Sequence, residues 1–193
     1  MAVTTEAPGG TGSTTLSTLH VGVVVWLASE LMFFAGLFAA YFTLRSVNEV
    51  WPPEGVELET ARTAVATLAL VASSGTMHHA VGLAKQPGRK RQAITWLGIT
   101  GLLGALFLTN QAVEWAQAPF RLDDNAYGSI FYLMTGFHGL HVLGGLILMG
   151  AVAVTISGRS RANAGSIVEV CGSYWHFVDV VWVAMFATIY LLK

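Results

Sequence analysis

The sequence predicts an all-α protein, a polytopic membrane helical bundle of five transmembrane helices with a cytoplasmic N-terminus. Three observations carry that reading. Hydrophobic residues make up 54% of the 193 and charged residues only 11%, against about 25% charged in soluble domains. Mean hydropathy is +0.60. Five apolar stretches each reach the ~20 residues a helix needs to cross hydrocarbon, and they are continuously apolar, without the period-two alternation of a membrane barrel. A net charge of −1 excludes nucleic acid as a partner, which selects strongly basic surfaces.

Residues 1–18, rich in Thr and Gly and without a basic start, read as a mobile N-terminal tail and not as a signal peptide. One domain follows, residues 19–193. Its first helix lies near 19–44 and holds the acid Glu30 in WLASELMFF. The connection at 45–62 has two prolines and four glutamates. A second helix, near 63–84, ends at His78 and His79 before the basic turn KQPGRKRQ. The third, near 93–115, is closed by AQAPFRLDDN. A fourth, near 126–157, carries TGFHGLHVLGG, and a Gly/Ser-rich loop at 158–169 leads to the fifth, near 170–192, with YWHFVDVVW. With the N-terminus inside, the inner loops hold Lys85, Arg89, Lys90, Arg91, Arg159 and Arg161, and the acidic 45–62 loop falls outside. That agrees with the positive-inside rule.

Glu30 sits near mid-membrane, where a charge costs on the order of 3 kcal/mol. Burial disfavours its ionised form, so it is expected to be neutral or tightly paired with a histidine of the fourth or fifth helix. His138 and His141 share one face of the fourth helix at i, i+3, as do His176 and Asp179 on the fifth. Counting helical rise puts Glu30 and His176 at similar depth, with His141 somewhat further out. These five residues form a candidate buried polar network. The plainer reading is that they hydrogen-bond between helices and fix packing. Two histidines on one helix face cannot clasp opposite sides of a porphyrin, and no Cys or Met joins them for copper. No catalytic or metal-ligating residue is expected. Lone Cys171 excludes an internal disulfide. A proton-coupled transporter is a further option, disfavoured by the lack of an inverted repeat. Lipid acyl chains are expected on Trp26, Phe33, Phe34, Trp175 and Trp182. Lipid phosphates are expected at His78, His79, Lys90, Arg91, Arg159 and Arg161, where topology control alone also explains the bases.

Four blocks carry a resemblance: WLASELMFFAGLFAAYF, SSGTMHHAVGLAKQPGRKRQA, NQAVEWAQAPFRLDDNAYGSIFYLMTGFHGLHVLGG and EVCGSYWHFVDVVW. In this order they resemble subunit III of the haem-copper terminal oxidases, the cytochrome c oxidase family, over about residues 20–192, in its short five-helix bacterial form. The resemblance implies a multi-pass accessory subunit in the bacterial plasma membrane, without a redox centre of its own. Haem a and copper are expected in partner subunits, which oxidise cytochrome c, reduce O2 to water and pump protons. Subunit I is the expected main contact, with subunit II, other oxidase subunits, bound phospholipid and possible supercomplex partners around it. Glu30 matches the family's membrane-embedded carboxyl, and His138, His141, His176 and Asp179 its other buried polar positions. Homologous subunits of a quinol oxidase or a nitric oxide reductase remain the near alternatives, because the donor site lies on other subunits.

Overall fold

The computed structural model describes residues 18–56, 58–158 and 163–192, and among these it is all-helical. The helices are α1 (Thr18–Val47), α2 (Thr60–Ala84), α3 (Lys90–Gln117), α4 (Ala126–Ser157) and α5 (Ala164–Phe186). The last runs into a π-helical turn, Ala187–Leu191. The N-terminal tail lies outside the described residues up to Ser17, as do Arg159 and Arg161. Among the described residues, four helices are long and apolar enough to cross a membrane: α1 from Val21, α3, α4, and α5 with its terminal turn. That fits a multi-pass membrane protein. The fifth, α2, falls short of that measure and carries a run of hydroxyls, Thr63, Thr67, Ser73, Ser74 and Thr76, all buried or half-buried, with His78 and His79 following. Its hydroxyls face other helices, so they are spent on packing and not on water.

Local chemistry sets several helix ends. The Asn125 side chain accepts from the Gly128 backbone N–H at 2.7 Å and starts α4, and Asn163 accepts from Gly165 at 3.1 Å and starts α5. Each cap satisfies a donor that the helix leaves unpaired. The short turn between α2 and α3 passes through Gly88 at φ +79°, a conformation glycine adopts without steric cost.

Helices α2, α3, α4 and α5 close into a ring in which α2 packs on α3, α3 on α4, α4 on α5 and α5 on α2, while α1 lies outside against α4 and α5. Contacts give the directions. Thr76 pairs with Thr100 and Thr63 with Glu114, so α2 and α3 run antiparallel. Trp26 stacks on Tyr174 and Tyr41 bonds to Thr188, so α1 and α5 run parallel.

Two tryptophans fill the ring. The Trp175 indole enters notches at two glycines. A Cβ on Gly104 would come within 2.5 Å of it, and one on Gly145 within 2.8 Å. Its N–H reaches Ser73 Oγ at 2.9 Å. Trp182, one heptad on, donates to Thr67 Oγ1 at 2.9 Å and packs on Phe107 at 4.6 Å. Lipid tails are as apolar as leucine, so helix association in hydrocarbon rests on close packing and interhelical hydrogen bonds. A tryptophan in a glycine notch supplies both.

Both tryptophans are fully enclosed, and Phe34 is too, at 1% exposure. The expectation that Phe34, Trp175 and Trp182 contact acyl chains is therefore corrected. A large aromatic on a membrane helix is as readily a core wedge as a lipid anchor, and the facing glycines decide for the core at Trp175, the ring packing at Trp182 and Phe34.

Candidate functional site: buried polar clusters

Glu30 occupies the middle of α1 and is half-buried. Its Oε1 accepts from the Trp26 indole N–H at 3.1 Å, and its Oε2 lies 3.0 Å from His141 Nε2 on α4. His141 Nδ1 sits 2.7 Å from the Phe137 carbonyl oxygen. A carbonyl only accepts, so Nδ1 carries a proton and points it there. A proton on either Nε2 or Oε2 makes the second contact a hydrogen bond, which gives the acid a partner on α4. The Tyr174 hydroxyl donates to the His141 carbonyl at 3.0 Å, and its ring stacks on Trp26 at 5.1 Å. The cluster joins α1 to α4 and α5.

The partner of Glu30 is thus His141 and not His176. Depth counting had placed His176 nearer, but rise along an axis says nothing about azimuth. His176 faces α2, where its Nδ1 lies 2.9 Å from Ser74 Oγ. The same hydroxyl donates to Asp179 Oδ2. A hydroxyl has one proton, so with Asp179 as its acceptor, His176 Nδ1–H is the donor to Ser74. Asp179 is 4% exposed and its other oxygen, Oδ1, has no partner among the described residues.

His138 shares a helix face with His141 but not its environment. It is fully enclosed, neither ring nitrogen has a hydrogen-bond partner among the described residues, and it packs against Trp182 at 4.9 Å, Phe107 at 5.8 Å and Phe34 at 6.4 Å. The structure therefore splits the five candidates into three places: Glu30 with His141, His176 with Asp179 through Ser74, and His138 alone among rings.

A further cluster escaped the sequence reading. Glu114 on α3 is 3% exposed. It accepts from the Tyr190 hydroxyl at 2.6 Å, from Thr63 Oγ1 at 3.1 Å and from Gln111 Nε2 at 3.3 Å. It ties α2, α3 and the end of α5. It lies at the edge of an apolar segment and was not among the sequence candidates. The signal that would have found it was there: an acid inside the 93–115 stretch, three residues after Gln111.

Of the remaining lipid candidates, Trp26 is 43% and Phe33 39% exposed. His78, His79, Lys90 and Arg91 are also exposed. Among the described residues no group of three His, Cys, Asp or Glu side chains is gathered in a way that could hold a metal ion.

The family model for cytochrome c oxidase subunit III matches residues 2–193. The chain belongs to that family. Relatives agree along nearly the whole length of this subunit III homologue. It is 42% identical to the probable cytochrome c oxidase subunit 3 of Nocardia farcinica, over 98% of this chain and 100% of that one. The cytochrome c oxidase subunit 3 of Thermostichus vulcanus is 40% identical over 89% of this chain and 86% of its own. That of Synechocystis is 41% identical over 89% and 74%.

Proposed function

We propose that the chain is the accessory subunit III of an aerobic respiratory terminal oxidase in a bacterial plasma membrane. The match to the subunit III family along residues 2–193 carries this reading, and the names of the relatives favour cytochrome c over quinol as electron donor. In the complex, cytochrome c is oxidised, O2 is reduced to water and protons are pumped. Haem a and copper belong to partner subunits, and this chain packs chiefly on subunit I. Its part is to hold helices and lipid in place so that turnover and proton uptake persist.

We read the domain from residue 19 onward as five membrane spans with the N-terminus in the cytoplasm and the acidic loop before α2 outside. The antiparallel ring supports this: α1, α3 and α5 run one way, so α2 must return the chain across the same distance. Its 25 residues span about 37 Å. Phospholipid would rest on Trp26 and Phe33, with phosphates near His78, His79, Lys90 and Arg91.

Gentle purification of the tagged chain tests the proposal. A preparation that carries haem a absorption and consumes O2 with reduced cytochrome c supports it. A colourless lone bundle contradicts it.

A further inference from the structure

On the outside of the helix ring, α3 and α4 leave an open groove of about 390 Å³ with apolar walls, chiefly Leu108, Ala112, Trp115, Leu140 and Leu143. Two glycines make it. A Cβ on Gly136 would stand 3.3 Å from the Trp115 ring, and one on Gly139 3.8 Å from Leu108, so the α4 wall is reduced to backbone there. At the α3–α4 loop, Trp115 also lines a mouth of about 480 Å³ that carries Tyr132, Arg121 and Asp123. Among the described residues, neither Arg121 nor Asp123 forms an ion pair. Arg121 is exposed there, and its backbone N–H is taken by Asp124 at 2.7 Å. From Tyr132 to Leu143, α4 advances about 16 Å. Half of a ~30 Å hydrocarbon core is about 15 Å.

We infer that this groove holds one zwitterionic glycerophospholipid from the leaflet beside the α3–α4 loop. One acyl chain lies along Gly136 and Gly139, the headgroup phosphate accepts from Arg121, and the headgroup ammonium donates to Asp123. The inference rests on reading these helices as membrane spans, and it concerns a face other than the α1 surface of Trp26 and Phe33. The match of groove length to one leaflet selects an acyl chain. The opposite charges at the mouth select a headgroup that carries both signs. One wall atom fits plain hydrocarbon poorly: Gln111 Oε1 is buried without a partner among the described residues. A quinol hydroxyl would satisfy it, but a quinol ring has no use for the Arg121 and Asp123 charges.

The test uses the complete complex purified in mild detergent, with retained lipid counted per chain by mass spectrometry after extended washing. Gly139→Leu plants a side chain in the groove. Arg121→Gln leaves the groove open and alters only an exposed group. We expect Gly139→Leu to retain one phosphatidylethanolamine-class lipid fewer than wild type. Arg121→Gln should lose that lipid about threefold faster, the scale of one exposed charge contact. Equal counts and equal loss rates overturn the inference, as does the loss of a quinol or of an anionic phospholipid in its place. If Gly139→Leu fails to assemble, the Arg121→Gln loss rate decides alone. Haem content of the same preparations reports separately on the oxidase reading.

Discussion

The α1 helix and the α2–α5 ring solve the same problem by different means. In the ring, Trp175 enters two glycine notches, Trp182 packs on Phe107, and each indole also finds a hydroxyl, so shape and hydrogen bonding act together. Helix α1 buries Phe34 and Tyr41 but enters no glycine notch. Most of its surface is open, and Gly36 has nothing within 4 Å of where a Cβ would stand. What holds it is a short series of polar and aromatic contacts: Glu30 with His141, Trp26 with Tyr174, the buried Tyr41 hydroxyl on the Thr188 carbonyl at 3.2 Å, and Arg45 on the Leu192 carbonyl. The difference teaches that a helix with little close packing can still be placed in hydrocarbon by a few directional bonds, each worth about 1 kcal/mol. An acid at mid-depth then serves attachment.

Changes in the ring should therefore cost more than changes on α1. The largest effect is expected for Trp175→Ala, which empties both notches and frees the Ser73 hydroxyl. A loss of about 3–5 kcal/mol should appear as failed assembly or a large fall in melting temperature of the purified complex. A fall no greater than that of an α1 variant would erase the contrast. Next comes Glu114→Leu, which leaves the buried Thr63 and Tyr190 hydroxyls without their acceptor. Roughly 1–3 kcal/mol is the expected cost, with increased hydrogen exchange where α2, α3 and the terminal turn meet.

The sequence showed the helices well because bilayer thickness imposes a length that apolar runs must meet. It showed less of how they face one another. The Glu30 carboxyl stood out as a lone acid, yet its partner was left open between the fourth and fifth helices because spacing along a helix gives depth and face only within that helix. His138 and His141 look equivalent at i, i+3, and what distinguishes them lies on other helices: the rings of Phe107 and Trp182 around the first and the Glu30 carboxyl at the second. Trp175 and Trp182 read as lipid anchors because the glycines that receive Trp175 lie on other helices, about 30 and 70 residues away in sequence. Glu114 was hidden by its place near a segment end, since its ligating hydroxyls come from α2 and from the terminal turn.

On α1, Glu30→Leu should cost about 1 kcal/mol and raise hydrogen exchange along α1 while the ring stays protected. Equal deprotection of α1 and α3 would mean that α1 is part of the core after all. The smallest effect is expected for Lys85→Ala. Its ion pair with Glu169 at 2.8 Å is well exposed at both ends, so its loss should shift stability by less than about 1 kcal/mol.

The most direct test of polar attachment is a double-mutant cycle on Glu30→Leu and His141→Leu, read by hydrogen exchange of α1 in the intact complex. The two changes should overlap, with a coupling of about 1 kcal/mol, because either one alone breaks the same bond. Strictly additive losses would show that Glu30 and His141 do not hold α1 together.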